Sequence, residues 1–177
     1  MLQTLPGIAV TYQGEEMVLV NTELTWKQTV DPSACNTDKD RFESFSRDPC
    51  RTPFPWDTTL NAGFSNASTT WLPVNPDYTY NNVQTQSAAT NSHLKIFKKL
   101  TKLRKNNVLR QGQYLGALVN NDNVFLYKRW YADDVVVVIL NFGNAEETIN
   151  VKTVFTNITA TTLPVYTASL NTAFVDG

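Results

Sequence analysis

Histidine is almost absent from this sequence, since His93 is the only one among 177 residues. No cysteine or acidic cluster surrounds it in the sequence, so we expect neither a metal site nor a cofactor. Net charge is also nearly absent, at −1 from 15 basic and 16 acidic residues. The one basic run, KIFKKLTKLRK at 95–105, is typical of the solvated face of a helix. Nucleic-acid binding needs a clustered positive surface and is therefore not expected.

Long apolar runs are missing as well. The longest is VVVVIL at 135–140, which is far too short to cross a bilayer. The opening residues, MLQTLPGIAV, lack the features of a signal peptide and lead straight into an apolar stretch. We therefore expect this chain to be a piece of a longer protein.

Only two cysteines are present, Cys35 and Cys50, and they flank a polar segment. A disulfide between them would close a loop of about 15 residues, worth roughly 3 kcal/mol in the chain-entropy model. The other interpretation is a pair of free thiols in a cytosolic protein. Glycosylation sequons begin at Asn66 and Asn157. Together with the even cysteine pair, they favour an oxidising, secretory compartment.

The first of three regions contains one short apolar stretch, Ile8 to Tyr12. It predicts a strand buried on both faces, as in a parallel sheet. The adjacent Glu15 and Glu16 follow its carboxyl end, where ligands bind in α/β folds. Neighbours on an extended strand face opposite ways, so these two glutamates are not expected to act as a catalytic pair.

The second region, residues 17–86, has almost no hydrophobic period and is rich in Asn, Thr, Pro and Asp. Eight aromatic residues between positions 42 and 80 argue against disorder. We expect a long, packed, irregular loop over a binding face. A helix follows within residues 90–107, because apolar side chains recur there at helical spacing. These are Leu94, Phe97, Leu100 and Leu103.

The third region, residues 108–177, is β-like. Four apolar segments are separated by short turn sequences, a spacing typical of an antiparallel sheet or sandwich. The segments are QYLGALVN, NVFLYKRWY, DVVVVILNFG and ETINVKTVF. We predict a domain boundary between residues 107 and 108, and a β domain too short to be complete.

The most constrained segment is SRDPCRTPFPWD at 46–57, which contains three prolines. Proline restricts the residue before it to extended conformations, so Arg51 lies between two stiffened points. A guanidinium held this way loses little entropy when it binds a carboxylate or sugar hydroxyls. The competing interpretation is a loop held together by salt bridges, such as one from Arg51 to Asp57.

Three segments occur in an order that resembles the C-terminal third of family 13 α-glucosidases, insect maltases in particular: LPGIAVTYQGEE, SRDPCRTPFPWD and HLKIFKKLTKLRK. The resemblance implies the last strand, loop and helix of a (β/α)₈ TIM barrel over residues 1–107. A truncated antiparallel β-sandwich domain would follow over residues 108–177. It also implies retaining hydrolysis of terminal α-1,4-linked glucose. The expected substrate is a small α-glucoside: maltose, sucrose or a maltooligosaccharide.

The same resemblance assigns Arg51 to the −1 glucose subsite, paired with an aspartate from outside this chain. The other loop residues are expected to give support: Asp48, Phe54, Trp56 and Asp57. Pro55 departs from the family, which usually has glutamine there, so local hydrogen bonding must differ. Retaining glycosidases need two carboxylates about 5–5.5 Å apart. The family motifs that carry them are not in this sequence, so we expect no catalytic residue in the chain.

Two alternatives stay open. One is a non-catalytic relative, such as the ectodomain of an amino-acid transporter heavy chain, which keeps the barrel as a structural partner. The other is a carbohydrate-binding module, which fits less well because residues 5–16 resemble a barrel strand. For the α-glucosidase, the expected partner is the N-terminal part of the same barrel. The expected location is secreted or at the extracellular face of the membrane, with or without a lipid anchor.

Overall fold

The computed structural model describes residues 1–160 and 162–172. It forms two compact units, neither of which is continuous in sequence. The first unit contains Met1–Val10 and Lys98–Ala168, and the second contains Thr11–Phe97 and the described residues 169–172. In the part of the chain described, no helix has both the length and the apolar character needed to span a membrane. The boundary between residues 107 and 108 stays a prediction.

The regular elements are short, apart from one helix and three strands. The helices are α1 (Pro32–Cys35), α2 (Val83–Ala88), α3 (His93–Leu103), α4 (Asn107–Arg110) and α5 (Val151–Val154). The strands are β1 (Gln113–Val119), β2 (Val124–Tyr131) and β3 (Asp134–Asn141). Single 3-10 turns lie at Trp26–Gln28, Phe42–Ser44, Asp48–Cys50, Leu60–Gly63 and Pro76–Thr79.

The first unit is built on the antiparallel sheet β1–β2–β3. Its strands are rich in β-branched and aromatic residues, which suit a pleated, half-buried surface. The β1–β2 turn runs through Asn120, Asn121 and Asp122, all with positive φ, a conformation that Asn and Asp tolerate better than most residues. Three of the four predicted β segments are therefore confirmed as strands.

The prediction of a fourth strand at ETINVKTVF is wrong. The Asn150 side chain accepts a hydrogen bond from the Lys152 backbone N–H at 3.0 Å and starts the one-turn helix α5. Phe155 then packs in a buried cluster with Leu126 of β2 and Ile158. The apolar side chains that the sequence pattern assigns to a strand thus pack here from a helical turn: Phe155 is buried, while Val151 and Val154 are partly buried. The described residues form a single sheet, and the closed sandwich stays a prediction.

The prediction of a strand at Ile8–Tyr12 is also not met in the structure. The segment has no regular structure, and Ile8 is 93% exposed. A buried parallel strand requires hydrogen-bonded neighbours on its edges. No strand pairs with this segment in the described part of the chain, so its apolar side chains are left largely in solvent.

Arg129 of β2 is the most deeply placed cation of the first unit, with 2% of its surface exposed. Burial lowers the pKa of this guanidinium, and the nearby charge of Arg104 lowers it further. No described carboxylate pairs with it. Its donors go instead to four backbone carbonyls, those of Thr4 (3.0 Å), Leu109 (3.1 Å), Gly112 (2.9 Å) and Gln113 (3.1 Å).

Arg104 anchors the same N-terminal segment from a second side. Its guanidinium donates to the carbonyls of Gln3 at 2.8 Å and Leu5 at 3.2 Å. The Tyr127 hydroxyl lies 2.5 Å from the Thr4 hydroxyl. Residues 3–5 are therefore fixed by side chains from α3's C-terminal turn and from β2, even though the strand predicted after them does not form.

The second unit is irregular, as predicted for residues 17–86, and contains no strand in its described residues. Several of its turns begin with a side-chain cap, in which a polar side chain accepts a hydrogen bond from a backbone N–H. These caps satisfy backbone groups that a strand would satisfy through its neighbours. Asp31 accepts from the Ser33 N–H at 3.1 Å, and Asn82 accepts from the Thr85 N–H at 2.8 Å. The predicted helix is confirmed as α3, where the Ser92 hydroxyl accepts from the Lys95 N–H at 3.2 Å. His93 is exposed at its start.

Candidate functional site

Two buried carboxylates, Asp31 and Asp48, form the centre of a charge cluster in the loop that contains residues 46–57. Both residues are fully buried. The start of α1 supplies Asp31, and the 3-10 turn at Asp48–Cys50 supplies Asp48. One arginine reaches each carboxylate, Arg47 for Asp31 and Arg51 for Asp48.

Arg47 binds Asp31 through three donors. Its Nη2 lies 2.6 Å from Asp31 Oδ1, while its Nε and backbone N–H both lie 2.8 Å from Oδ2. The Arg47 side-chain hydrogen bonds hold the pKa of Asp31 well below its usual value, although burial opposes the shift. The carboxylate is therefore ionised, and the two-donor geometry fixes the arginine plane.

Asp48 fixes Arg51 in a similar way. Burial raises the pKa of Asp48, but hydrogen bonds from the Arg51 side chain and from two backbone N–H groups outweigh it, and the pKa lies below its ordinary value. Those N–H groups belong to Val30, at 2.7 Å, and Asp31, at 2.8 Å. The Arg51 Nη2 donates to the other carboxylate oxygen and lies 4.0 Å from Asp31 Oδ2.

Arg51 also contacts an aromatic ring. Its guanidinium carbon lies 5.5 Å from the centre of the Trp71 ring, within the range of a cation–π contact. The Arg51 side chain is 28% exposed, whereas that of Arg47 is 62% exposed. The Arg51 Nε is buried and has no hydrogen-bond partner within the described residues. Arg51 is thus held by a carboxylate and a ring, with part of its donor capacity unused.

The suggested bridge from Arg51 to Asp57 is wrong, because Asp57 belongs to a separate turn. Its carboxylate accepts from the backbone N–H and hydroxyl of Thr59, at 2.8 and 2.6 Å. It lies 2.7 Å from the position that a Cβ on Gly63 would occupy. Gly63 has φ +68°, so both the close approach and the backbone conformation require glycine there.

Phe54 and Trp56 pack against each other, with ring centres 5.1 Å apart in an edge-to-face arrangement. The Trp56 backbone N–H donates to the Ala62 carbonyl at 2.8 Å. These contacts join the end of the arginine-bearing segment to the following turn. The supporting role that the sequence predicts for these residues stays a prediction.

Glu15 and Glu16 have different surroundings. Glu16 accepts a hydrogen bond from the Gly14 N–H at 2.7 Å, whereas Glu15 lines a groove of about 380 Å³. That groove also contains Thr52 and Asp77. Among the residues that the structure describes, no group of three or more histidines, cysteines or acidic residues could hold a metal ion.

The two cysteines lie in the elements that carry the charge cluster, Cys35 in α1 and Cys50 in the 3-10 turn at Asp48–Cys50. Cys35 and Cys50 are free, exposed thiols, so the predicted disulfide is not present in the structure. Their sulfurs face different backbone carbonyls, that of Thr29 at 3.7 Å for Cys35 and that of Arg47 at 3.2 Å for Cys50. Asn66 and Asn157 are both exposed, as a glycosylation acceptor must be.

Sequence reasoning missed Asp31, Arg47 and Trp71. The Asp31-Pro32-Ser33 sequence is a recognisable helix start, since aspartate is a favoured cap and proline a favoured first residue. That signal predicts a cap and gives no hint of an ion pair 16 residues away. No local pattern connects Trp71 to Arg51, which is 20 positions earlier in the chain.

Comparison with known proteins identifies several relatives. The alpha-amylase catalytic domain matches residues 1–112. Maltase A1 from Drosophila melanogaster is 43% identical over 178 residues, which cover 100% of this chain and 30% of the relative. A salivary alpha-glucosidase from Anopheles gambiae is 51% identical over 155 residues, covering 87% of this chain and 26% of the relative. The chain thus spans about a third or less of the curated relatives it matches.

A solved structure and a more distant relative complete the comparison. The chain superimposes on the MutB E254Q mutant in complex with the substrate sucrose with a TM-score of 0.68 and 27% identity. This match covers 80% of the chain and 28% of MutB. The human amino acid transporter heavy chain SLC3A1 is 36% identical over 149 residues, covering 82% of this chain and 20% of the relative.

Proposed function

Because this chain belongs to the alpha-amylase catalytic-domain family, we propose that it is the C-terminal part of a retaining α-glucosidase. The full-length protein would release terminal α-1,4-linked glucose, and its substrate would be a small α-glucoside, namely maltose, sucrose or a maltooligosaccharide. The observation that carries the proposal is the buried Asp31–Arg47 and Asp48–Arg51 pairing in the loop that resembles the maltase loop. Relatives named maltase and alpha-glucosidase at 43% and 51% identity support it.

The chain would supply substrate contacts, while the catalytic carboxylates would come from the rest of the barrel. Glu15 and Glu16 are engaged differently, so they do not provide the pair of carboxyl groups that retention needs. We propose Arg51 as the −1 subsite arginine. Its support is the prearranged guanidinium, which Asp48 and Trp71 hold and which is part of a side chain that is 28% exposed.

Arg47 is a second candidate for the same role. Its side chain is more than twice as exposed as that of Arg51, and the Asp31 carboxylate fixes its plane. An arginine whose Nε and one Nη bind a carboxylate still has Nη donors available for a sugar hydroxyl. Replacing each arginine separately by lysine distinguishes the two, because lysine keeps the charge and loses the planar fork.

Hydrolysis by the full-length protein tests the proposed reaction. We expect it to cleave maltose and a chromogenic α-glucoside, and proton NMR should detect α-glucose as the first product, before mutarotation. β-Glucose as the first product would reject retention. Absence of cleavage, with the protein folded, would reject the enzyme.

The alternative is a non-catalytic family member that serves as a structural partner. The similarity to the SLC3A1 heavy chain is the observation that favours it. The alternative predicts a folded protein that leaves every α-glucoside intact and associates with a membrane transporter. Maltase relatives of higher identity favour the enzyme.

We also propose that the protein is secreted, or exposed at the extracellular face of the membrane. The name of the salivary alpha-glucosidase relative supports an extracellular location. Exposed sequon asparagines at positions 66 and 157 support passage through a glycosylating compartment. Digestion of the secreted protein with an N-glycosidase should remove mass from both sites, and an unchanged mass would reject glycosylation there.

A further inference from the structure

Charge is distributed very unevenly along a chain whose net charge is only −1. Residues 78–121 contain seven basic residues and no acidic one, whereas the rest of the chain contains eight basic and 16 acidic residues. The seven basic residues lie on α3, on α4 or in the turn between them. A nearly neutral sequence thus contains one segment of net charge +7.

Four lysines of this segment are exposed in the first unit, and we call them the lysine face: Lys98, Lys99, Lys102 and Lys105. The first three lie on α3 within an arc of about 100°, since each residue of a helix turns by about 100°. Lys105 follows in the turn after the helix. Leu103 of α3 is buried and packs with Val108 and Leu109. The helix therefore buries apolar side chains and leaves its cationic side in solvent.

No carboxylate compensates the lysine face. Among the described residues, none of its four ammonium groups lies within 4.0 Å of a carboxylate oxygen, and none donates a hydrogen bond. Arg104 differs, because its guanidinium binds the carbonyls of Gln3 and Leu5. Like charges three or four residues apart destabilise a helix, and Lys98 and Lys102 are such a pair. A bound polyanion would remove this repulsion.

The chemistry of the lysine face fits an extended polyanion. Lys98 and Lys102 are separated by about 6 Å along the helix axis, so a chain with regularly spaced anionic groups can meet several lysines at once. A lipid surface fits less well, because a helix that lies on a membrane inserts its apolar side chains, and Leu103 is buried in the protein. Anionic lipids are also concentrated in the cytoplasmic leaflet, away from the proposed extracellular location.

We propose that the lysine face binds a sulfated polysaccharide outside the cell. The inference rests on the proposed extracellular location, which selects this polyanion over nucleic acid and anionic lipid. It is independent of hydrolysis, because no residue of the lysine face belongs to the charge cluster. Such binding would retain a secreted protein at cell surfaces without a lipid anchor.

Binding of the full-length protein to heparin, titrated at several salt concentrations, tests the proposal. Replacing Lys98, Lys102 and Lys105 together by glutamine should weaken binding by about 30- to 100-fold, since each lysine at an anionic surface contributes a gain of roughly fivefold. The slope of log Kd against log salt should fall by about 2. The kcat/KM for maltose should stay unchanged.

The matched control replaces three exposed lysines outside the lysine face by glutamine: Lys27, Lys39 and Lys152. It changes the net charge equally and should weaken heparin binding by about twofold or less. Replacing the three lysines of the face by arginine should preserve binding, because the charges remain. Glutamine and arginine are both good helix formers, so α3 should be retained, which circular dichroism checks.

Unchanged heparin binding in the glutamine variant, or an equal loss in the control, would overturn the proposal. Tighter binding of the unaltered protein to phosphatidylserine vesicles or to double-stranded DNA than to heparin would also overturn it. Selective heparin binding by a protein that hydrolyses no α-glucoside would reject the proposed reaction and keep the lysine face. Intact hydrolysis with no selective loss of heparin binding would do the reverse.

Discussion

Arg129 in the first unit and Arg51 in the second differ in burial and in the type of partner. Arg129 is almost completely buried, and its donors go to four backbone carbonyls. Arg51 is partly exposed, binds a buried carboxylate and retains an Nε without a described partner. The first arginine has its hydrogen-bonding capacity used by the backbone, whereas the second is partly exposed and held by a carboxylate.

The two units also differ in whether carboxylates bind their arginines. Asp31 and Asp48 hold Arg47 and Arg51 in fixed planes in the second unit. No described carboxylate pairs with Arg129 in the first unit. Buried charges need compensation, which fixed carbonyl dipoles can give without adding chemical function. The contacts of Arg129 are those of a structural residue, and the recognition role that we propose for the arginines of the loop stays a prediction.

The largest expected effect is complete loss of activity when the two units are separated from the rest of the barrel. The 177-residue chain, purified alone, should not hydrolyse maltose or a chromogenic α-glucoside, because the family motifs that carry the two catalytic carboxylates are not in its sequence. The full-length protein is the positive control. Turnover that co-purifies with the chain and is lost on replacing one of its acidic residues would contradict this prediction.

Replacing Arg129 by lysine should have a large effect on stability. Lysine has three donors on one nitrogen and cannot reach four separated carbonyls, so buried acceptors lose their partners. We expect a loss of about 2–4 kcal/mol in the free energy of unfolding, measured by urea denaturation of the full-length protein. The kcat/KM of the folded fraction should change little.

Arg104→Lys is the matched control for that variant, because Arg104 is more exposed and binds carbonyls of the same N-terminal segment. It should be destabilised less than Arg129→Lys. A reversed order, or an Arg129 variant that folds normally and loses kcat/KM, would show that the buried arginine does more than support the fold.

Acid should weaken the second unit through Asp31. Its folded-state pKa is held below the ordinary value by the Arg47 hydrogen bonds, so the stabilisation is fully present above about pH 4. It is lost as the pH falls from about 4 through the lower folded-state pKa. Asp31→Asn should lower the melting temperature at pH 7 and flatten its dependence on pH below 4. An unchanged acid transition would contradict the role of the ion pair.

Replacing the two sequon asparagines, one in each unit, should give the smallest changes in stability. The Asn157 side-chain oxygen accepts from Lys128, which is 3% exposed, whereas no described contact engages the Asn66 side chain. In protein made without glycosylation, Asn157→Ala should cost about 1–2 kcal/mol, because a buried ammonium loses its oxygen partner. Asn66→Ala should be nearly neutral. Equal thermal shifts for the two variants would contradict the importance of the Lys128 contact.

Local patterns in the sequence predicted the elements whose hydrogen bonds are local. The α3 helix follows from Leu94, Phe97, Leu100 and Leu103 at helical spacing, and β2 and β3 follow from a short turn between apolar runs. The strand prediction for residues 147–155 was wrong because one capping side chain, that of Asn150, favours a helical turn over a strand. The strand predicted at Ile8–Tyr12 is not formed because a strand needs a hydrogen-bonded neighbour, and no strand among the described residues pairs with this segment.

The candidate site was predictable only in part, for a related reason. The prolines around Arg51 mark a stiff segment, but they do not identify its partner. Asp48 becomes that partner because a 3-10 turn places residues three apart on one side. Asp31 contacts Arg47, which lies 16 residues later, and Trp71 contacts Arg51, which lies 20 residues earlier. Contacts between residues so far apart in the chain produce no periodic pattern from which they could be predicted.

The most direct test of a recognition role for the loop is Arg51→Lys in the full-length protein, with kcat/KM and melting temperature measured on the same preparation. Lysine keeps the charge and loses the planar fork. We predict a fall in kcat/KM of about 30- to 1000-fold, equivalent to roughly 2–4 kcal/mol of transition-state stabilisation, with a much smaller change in melting temperature. The same measurement on Arg47→Lys shows which arginine meets the sugar. A lower melting temperature with unchanged kcat/KM in both variants would contradict the account and make the loop arginines structural, like Arg129.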